Sequence, residues 1–104
     1  MELRQIRYFV AVTRAEGFRK ASRELYVAQP TLSVAVHQLE SELGVKLLRR
    51  TARGVQLTAE GQRFLAHAEV ILGRADRAKA EMRARAHRAT PASAGSVAAR
   101  PASP

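Results

Sequence analysis

The sequence predicts a mainly α-helical fold in which three short helices and a two-stranded hairpin are followed by one long helix. Three observations lead to this prediction. Apolar residues between Leu3 and Leu43 recur at steps of three and four, as on one face of an α-helix. Two short β-prone segments follow, with a glycine between them. From Phe64 to Met82 the apolar positions again advance by steps of four and three.

The first two helices are expected to be short. An apolar stripe predicts the first over residues 3–15; it consists of Leu3, Ile6, Phe9 and Val10. Glu16-Gly17 interrupts the pattern. Helical spacing resumes at Phe18 and ends near Leu25, which predicts a second helix of about two turns.

The third helix is expected to begin at Gln29 or Pro30. Proline has no N–H to lose in a first helical turn, and its fixed φ already suits a helix start. The apolar stripe of this helix consists of Leu32, Val36, Leu39 and Leu43. Gly44 supplies a C-terminal stop.

The segments VKLLRR at 45–50 and VQLT at 55–58 predict a hairpin whose turn lies at residues 51–54. Thr58 can cap a fourth helix that reaches Arg88. Its apolar stripe predicts pairing with a helix of a second chain, although the stripe can also pack on the first helix. The expected dimerisation residues are Phe64, Ala68, Ile71, Ala75, Ala78 and Met82. The sequence thus divides into a domain over 1–58, a linker or dimerisation helix over 59–88 and a tail over 89–104. The tail has almost no large apolar residue and is expected to be disordered.

Charge restricts the function. The chain carries 18 Lys and Arg against 9 Asp and Glu, a net charge of +9, which favours nucleic acid as the partner. Its apolar runs are too short to cross a membrane, and it lacks the Trp typical of a membrane-surface anchor. It has no Cys, no metal-ligand spacing and no catalytic pairing of carboxylate and histidine. We therefore expect a cytoplasmic protein that is not an enzyme and needs no metal or cofactor.

Three helices, a hairpin and a long helix in this order describe a winged helix-turn-helix with an attached dimerisation helix. In such proteins the leading end of the third, recognition helix enters the DNA major groove. Small polar side chains there allow close approach and can hydrogen-bond bases or phosphates. Arginines on the hairpin, the wing, can enter a minor groove or contact the backbone. On their own, Arg49, Arg50 and Arg53 would more simply form a solvated strand edge, and His37 a surface residue.

The segments LRQIRYFVAV, AQPTLSVAVHQLESELGVKLLRR and GVQLTAEGQRFL resemble the N-terminal domain of LysR-type bacterial transcription regulators, over roughly residues 1–88. The resemblance implies a winged helix-turn-helix that dimerises through the long helix and binds operator DNA with dyad symmetry, at the nucleoid. The DNA contacts it implies are Gln29, Pro30, Thr31, Ser33, Val34 and His37 on the recognition helix and Arg50 and Arg53 on the wing.

The sequence departs from this family pattern in four ways. Ala28 replaces a frequent capping serine, Val34 a frequent arginine and Leu48 the usual phenylalanine. The family's ligand-sensing domain does not follow, so no small-molecule ligand is expected in this chain. The first expectation is a homodimeric, sequence-specific regulator without a sensor. The alternatives are an interaction protein that forms mixed dimers with a full-length relative, and a nonfunctional truncated fragment.

Overall fold

The computed structural model describes residues 1–89. Its elements, in chain order, are α1 (Leu3–Ala15), α2 (Phe18–Leu25), α3 (Gln29–Leu43), β1 (Leu48–Thr51), β2 (Gly54–Leu57) and α4 (Ala59–Ala89). The strands form one antiparallel two-stranded sheet, the wing. The predicted fold, a mainly α winged helix-turn-helix followed by a long helix, is confirmed.

Local chemistry sets the ends of the short helices. The residues that end α1 and α2, Glu16 and Tyr26, adopt the left-handed conformation at φ 61° and 56°. Gly44 ends α3 at φ 76°, where glycine meets no steric cost. At the start of α3, Ala28 occupies the N-cap and its side chain makes no capping hydrogen bond.

The wing is shorter than the sequence predicts. Its register runs from the Leu48–Leu57 pair to the Thr51–Gly54 pair, so β1 begins at residue 48 rather than 45. The N–H groups of residues 47 and 48 both donate to the Glu40 carboxylate, and the carbonyl of residue 47 accepts from the N–H of residue 58. The backbone around Leu47 is therefore bonded to α3 and to the start of α4.

Thr58 joins the wing to α4. Its Oγ1 accepts a hydrogen bond from the Gly61 N–H at 2.9 Å, which caps the helix as predicted. The same hydroxyl donates to the Lys46 carbonyl at 2.6 Å. One buried threonine thus fixes both the start of α4 and the approach to β1.

The hydrophobic core lies among the three short helices, the wing and the first half of α4. Its largest fully buried side chains are Phe9, Ile6, Leu32, Leu39, Leu47 and Val12. The ring of Phe64 on α4 lies 5.6 Å from that of Phe9, at an interplanar angle of 59°. Ala68 is fully buried in the same core.

The described chain divides into two compact units, Met1–Leu72 and a second that begins at Gly73. The first unit extends past the expected domain end at residue 58, because Phe64 and Ala68 pack on its core. Within residues 1–89, no helix is both long and apolar enough to cross a membrane. The expected disordered tail lies, from residue 90 onward, outside the described residues.

Candidate nucleic-acid interface

The leading half of α3 presents its polar side to the surface. The residues implied to contact DNA are accessible there: Gln29, Pro30, Thr31, Val34 and His37 are exposed, and Ser33 is half-buried. Leu32, Val36 and Leu39 are buried on the opposite side of the helix, at 0%, 3% and 0% exposure. Packing of the apolar stripe therefore directs the polar residues of α3 outward.

The wing is anchored by its apolar residues and exposes its arginines. Leu48 and Val55 are buried, whereas Arg49, Arg50 and Arg53 are exposed. At the turn, the N–H of Arg53 donates to the Thr51 hydroxyl at 3.2 Å. This hydrogen bond fixes the backbone from which the Arg53 side chain extends.

Gly54 allows the wing to approach the α1–α2 connection. Its φ is 134°, and a Cβ at this position would overlap the carbonyl oxygen of Glu16. The next residue, Val55, donates its N–H to that oxygen at 3.3 Å. Glycine is required here by both the conformation and the close backbone contact.

An open groove of about 750 Å³ separates α3 from the wing. The residues on its walls include Phe18 from α2, Ser33, Val34 and His37 from α3, and Arg49 and Arg50 from β1. Among the predicted DNA contacts, the structure thus brings Ser33, Val34 and His37 of α3 together with Arg50 of the wing. Gln29 and Pro30 line a separate shallow depression at the start of α3, together with Ser33 and Val34.

The Arg50 side chain is exposed, but it also contacts two other residues of the domain. Its guanidinium carbon lies 4.4 Å from the centroid of the Phe18 ring. One terminal N–H donates to the Ser33 Oγ at 3.3 Å. The resemblance to LysR-type regulators implies that Arg50 contacts DNA directly, and neither contact within the domain could be foreseen from residue spacing.

The surface of α2 carries cations that are absent from the predicted set of DNA contacts. Arg19, Lys20 and Arg23 are all exposed on this helix. Arg19 and Arg23 are four residues apart and therefore lie on one helical face. The first helix of a helix-turn-helix crosses the DNA backbone. Two cations on one face of the helix that precedes the recognition helix are therefore the sequence signal that would have identified these residues.

The six expected dimerisation residues have different surroundings. Phe64 is half-buried and Ala68 fully buried in the first unit, so Ala68 has no surface left for a second chain. Ile71 and Ala75 are half-buried, whereas Ala78 and Met82 are exposed. Ile71 also packs on the core of the first unit, whereas Ala75, Ala78 and Met82 belong to the unit that begins at Gly73.

Residues 3–62 match the family described as bacterial regulatory helix-turn-helix protein, lysR family. The chain belongs to the LysR family. It is 49% identical over 83 residues to the probable cat1 operon transcriptional activator of Acinetobacter lwoffii, covering 80% of this chain and 27% of that protein. It is 44% identical over 86 residues to the regulator TfdT of Cupriavidus pinatubonensis, covering 83% of this chain and 38% of that protein. The LysR-family chain therefore spans well under half the length of these curated relatives.

Solved structures place the same fold on DNA. The BenM DNA-binding domain in complex with catB site 1 DNA is 42% identical to this LysR-family chain, with a TM-score of 0.80, and the match covers 84% of this chain and 98% of that one. The CbnR DNA-binding domain in a DNA complex is 44% identical with a TM-score of 0.77, covering 84% and 100%. The described residues thus form a LysR-family DNA-binding domain, and the relatives named above are transcription regulators rather than enzymes.

Proposed function

We propose that this LysR-family chain recognises operator DNA of dyad symmetry as a homodimer and thereby regulates transcription, in the cytoplasm at the nucleoid. One observation carries the proposal: Ser33, Val34 and His37 of α3 line the same groove as the wing residues Arg49 and Arg50. A recognition helix and a wing so arranged can contact the major groove and the adjacent backbone together.

Each α3 side chain suits a different contact. Gln29 can pair with the donor and acceptor on an adenine edge, and the exposed Val34 can contact a thymine methyl. Thr31 and Ser33 can bond bases or phosphates, and His37 lies further along the same exposed side. Pro30 brings no side-chain hydrogen bond, so its role is to start the helix with the backbone close to DNA.

The wing arginines serve the backbone or the minor groove. Arg53 lies at the turn, on a backbone fixed by Thr51, and its exposed side chain can reach a phosphate or enter a narrow minor groove. Arg50 can offer DNA those N–H groups that Ser33 does not use, because a guanidinium has five donors.

We assign dimerisation to Ile71, Ala75, Ala78 and Met82. Alanines allow close helix approach but bury little apolar area, so the free dimer should be weak. Arginines at positions 74, 77 and 83 add repulsion between like charges. Operator DNA would strengthen pairing, since two half-sites about 34 Å apart bind both recognition helices at once.

Selection of bound duplexes from a random pool tests this function on the whole chain. We expect an enriched half-site, its inverted repeat and a fixed spacing between the two. The affinity for the selected duplex should fall steeply as salt rises, because bound cations release counterions from DNA. A pool without enrichment, or binding that does not weaken with salt, would overturn the proposal.

A further inference from the structure

Arg50 links three elements of the domain. It extends from β1 of the wing, its guanidinium covers the ring of Phe18 at the start of α2, and it donates to Ser33 on α3. Phe18 itself is only 7% exposed and belongs to the core. The ring is therefore a fixed support, and a flat guanidinium above it has a restricted orientation.

The bond from Arg50 determines which hydrogen-bonding capacity Ser33 keeps. A serine hydroxyl has one donor and two acceptor lone pairs. Arg50 occupies one lone pair, and among residues 1–89 the hydroxyl makes no other hydrogen bond. Its O–H proton is thus left for a partner outside the domain.

The positive charge of Arg50 also changes how strongly the Ser33 hydroxyl binds different bases. A cationic donor on the oxygen polarises the O–H bond and strengthens it as a donor. The same charge repels a second donor group that approaches the oxygen. Purine N7, guanine O6 and thymine O4 are acceptors in the major groove, whereas the cytosine amino group is a donor.

We propose that Arg50 is a positioning residue which, supported by Phe18, makes Ser33 a hydrogen-bond donor that favours acceptor edges of bases over the cytosine amino group. The proposal rests on the proposed function, because it concerns how this recognition helix distinguishes bases. It gives Arg50 an effect on sequence preference that a contact to phosphate alone would not have.

The test compares four proteins: the wild-type chain, Ser33→Ala, Arg50→Met and the double variant. The selected half-site is compared with half-sites altered one base pair at a time, and the pair at which Ser33→Ala relaxes preference is identified. Wild type should favour an acceptor edge over cytosine there by about tenfold, as one charge-assisted hydrogen bond allows. Both single variants and the double variant should retain only about twofold preference, because each removes the same interaction.

Two further variants complete the test. Arg53→Ala is the matched control on the same wing. It should weaken binding to all half-sites by the same factor and leave the base preference at the Ser33 pair intact. Arg50→Lys keeps the charge but not the flat fork, and should reduce the preference even if Arg50→Met fails to fold.

Several results would overturn the proposal. One is an Arg50 variant that weakens all half-sites equally while the preference at the Ser33 pair stays near tenfold. Another is a wild-type preference for cytosine at that pair. If the wild-type chain shows no base preference anywhere, the proposed function itself fails, which the selection reveals before any variant is made.

Discussion

The Oε2 atom of Glu40 accepts a hydrogen bond from the Leu47 N–H at 2.7 Å. The same oxygen accepts a second from the Leu48 N–H at 3.1 Å, and the other oxygen lies 3.8 Å from the Lys46 ammonium. Glu40 belongs to the last turns of α3, and Leu48 opens β1. One carboxylate, only 8% exposed as a residue, therefore holds the wing against the recognition helix.

Replacing Glu40 by alanine should lower the free energy of unfolding by about 2 kcal/mol, because two backbone donors lose their buried acceptor. Glu40→Gln should cost about half as much, since an amide oxygen still accepts but carries no charge. Urea unfolding measures both. The control is Glu42→Gln, whose exposed carboxylate pairs with the terminal amine and should contribute under about 0.5 kcal/mol. Equal losses at positions 40 and 42 would contradict the assigned role.

Two glycines of α4 should respond to alanine in opposite directions. At Gly61, an added Cβ would overlap the carbonyl oxygen of Leu47, so Gly61→Ala should destabilise the domain by about 2 kcal/mol. At Gly73, no heavy atom lies within 4 Å of such a Cβ. Gly73→Ala should therefore stabilise the protein by up to about 1 kcal/mol through helix propensity. Thermal unfolding of both variants checks the pair: stabilisation by Gly61→Ala would refute the contact at Gly61, and destabilisation by Gly73→Ala would refute the open surroundings of Gly73.

The vacant cap of α3 offers a stabilising substitution. Ala28 has the extended backbone of an N-cap, with φ −66° and ψ 141°, but no side-chain acceptor. Ala28→Ser should add about 1 kcal/mol by accepting a hydrogen bond from the first turn. Ala52→Ser, in the exposed wing turn, is the control and should change little. Unfolding midpoints in urea separate the two; an unchanged midpoint for Ala28→Ser would show that the cap position is misassigned.

The helices could be predicted from the sequence because each carries its own signals. The apolar stripe and Gly44 fix α3 without reference to the rest of the chain. The start of β1 could not be predicted from the sequence, because it depends on a hydrogen bond between the Leu48 N–H and the Glu40 carboxylate. No local sequence signal identifies Glu40 as the acceptor. The spacing of apolar residues by fours and threes likewise does not predict which surface buries Ala68. In the structure, Ala68 is buried in the core of its own chain.

The candidate site could be predicted as a set of exposed positions but not as a set of contacts. Gln29 and Thr31 lie off the apolar stripe, so helical periodicity alone places them on the surface. The contact of Arg50 with Phe18 depends on how the wing packs on α2, which involves elements far apart in the sequence. Tertiary packing, not local propensity, decides such contacts.

Arg53 and Gln29 should affect DNA binding in different ways. Arg53→Ala should weaken binding to every duplex and reduce the salt slope by about one unit, as expected for one phosphate contact. Gln29→Ala should instead relax preference at one base pair with little change in slope. Fluorescence anisotropy across a salt series measures both effects. Arg14→Ala, which removes an arginine paired with Glu69 at 3.1 Å, controls for the loss of net charge. If Arg14→Ala matches Arg53→Ala, the Arg53 side chain makes no specific contact with DNA.

Two alanines in the second unit provide a matched test of the pairing face. Ala78 lies on the stripe with Ala75 and Met82, whereas Ala80, two residues further on, lies on the opposite side of the helix. Ala78→Glu would place a charge inside a helix pair and should shift the chain to monomer. Ala80→Glu makes the same chemical change on the solvent side and should leave the dimer intact. Sedimentation of both variants, alone and with operator DNA, measures the difference.

Measurements of DNA binding distinguish a pairing defect from a folding defect. Ala78→Glu should still bind a single half-site, because its recognition helix and wing belong to the unit that ends at Leu72. Affinity for the full dyad should fall toward that of the half-site, since the two domains no longer bind as one molecule. If Ala80→Glu dissociates the dimer as strongly as Ala78→Glu, the face formed by Ile71, Ala75, Ala78 and Met82 is not the interface. Loss of half-site binding in Ala78→Glu would instead show that residue 78 supports the first unit.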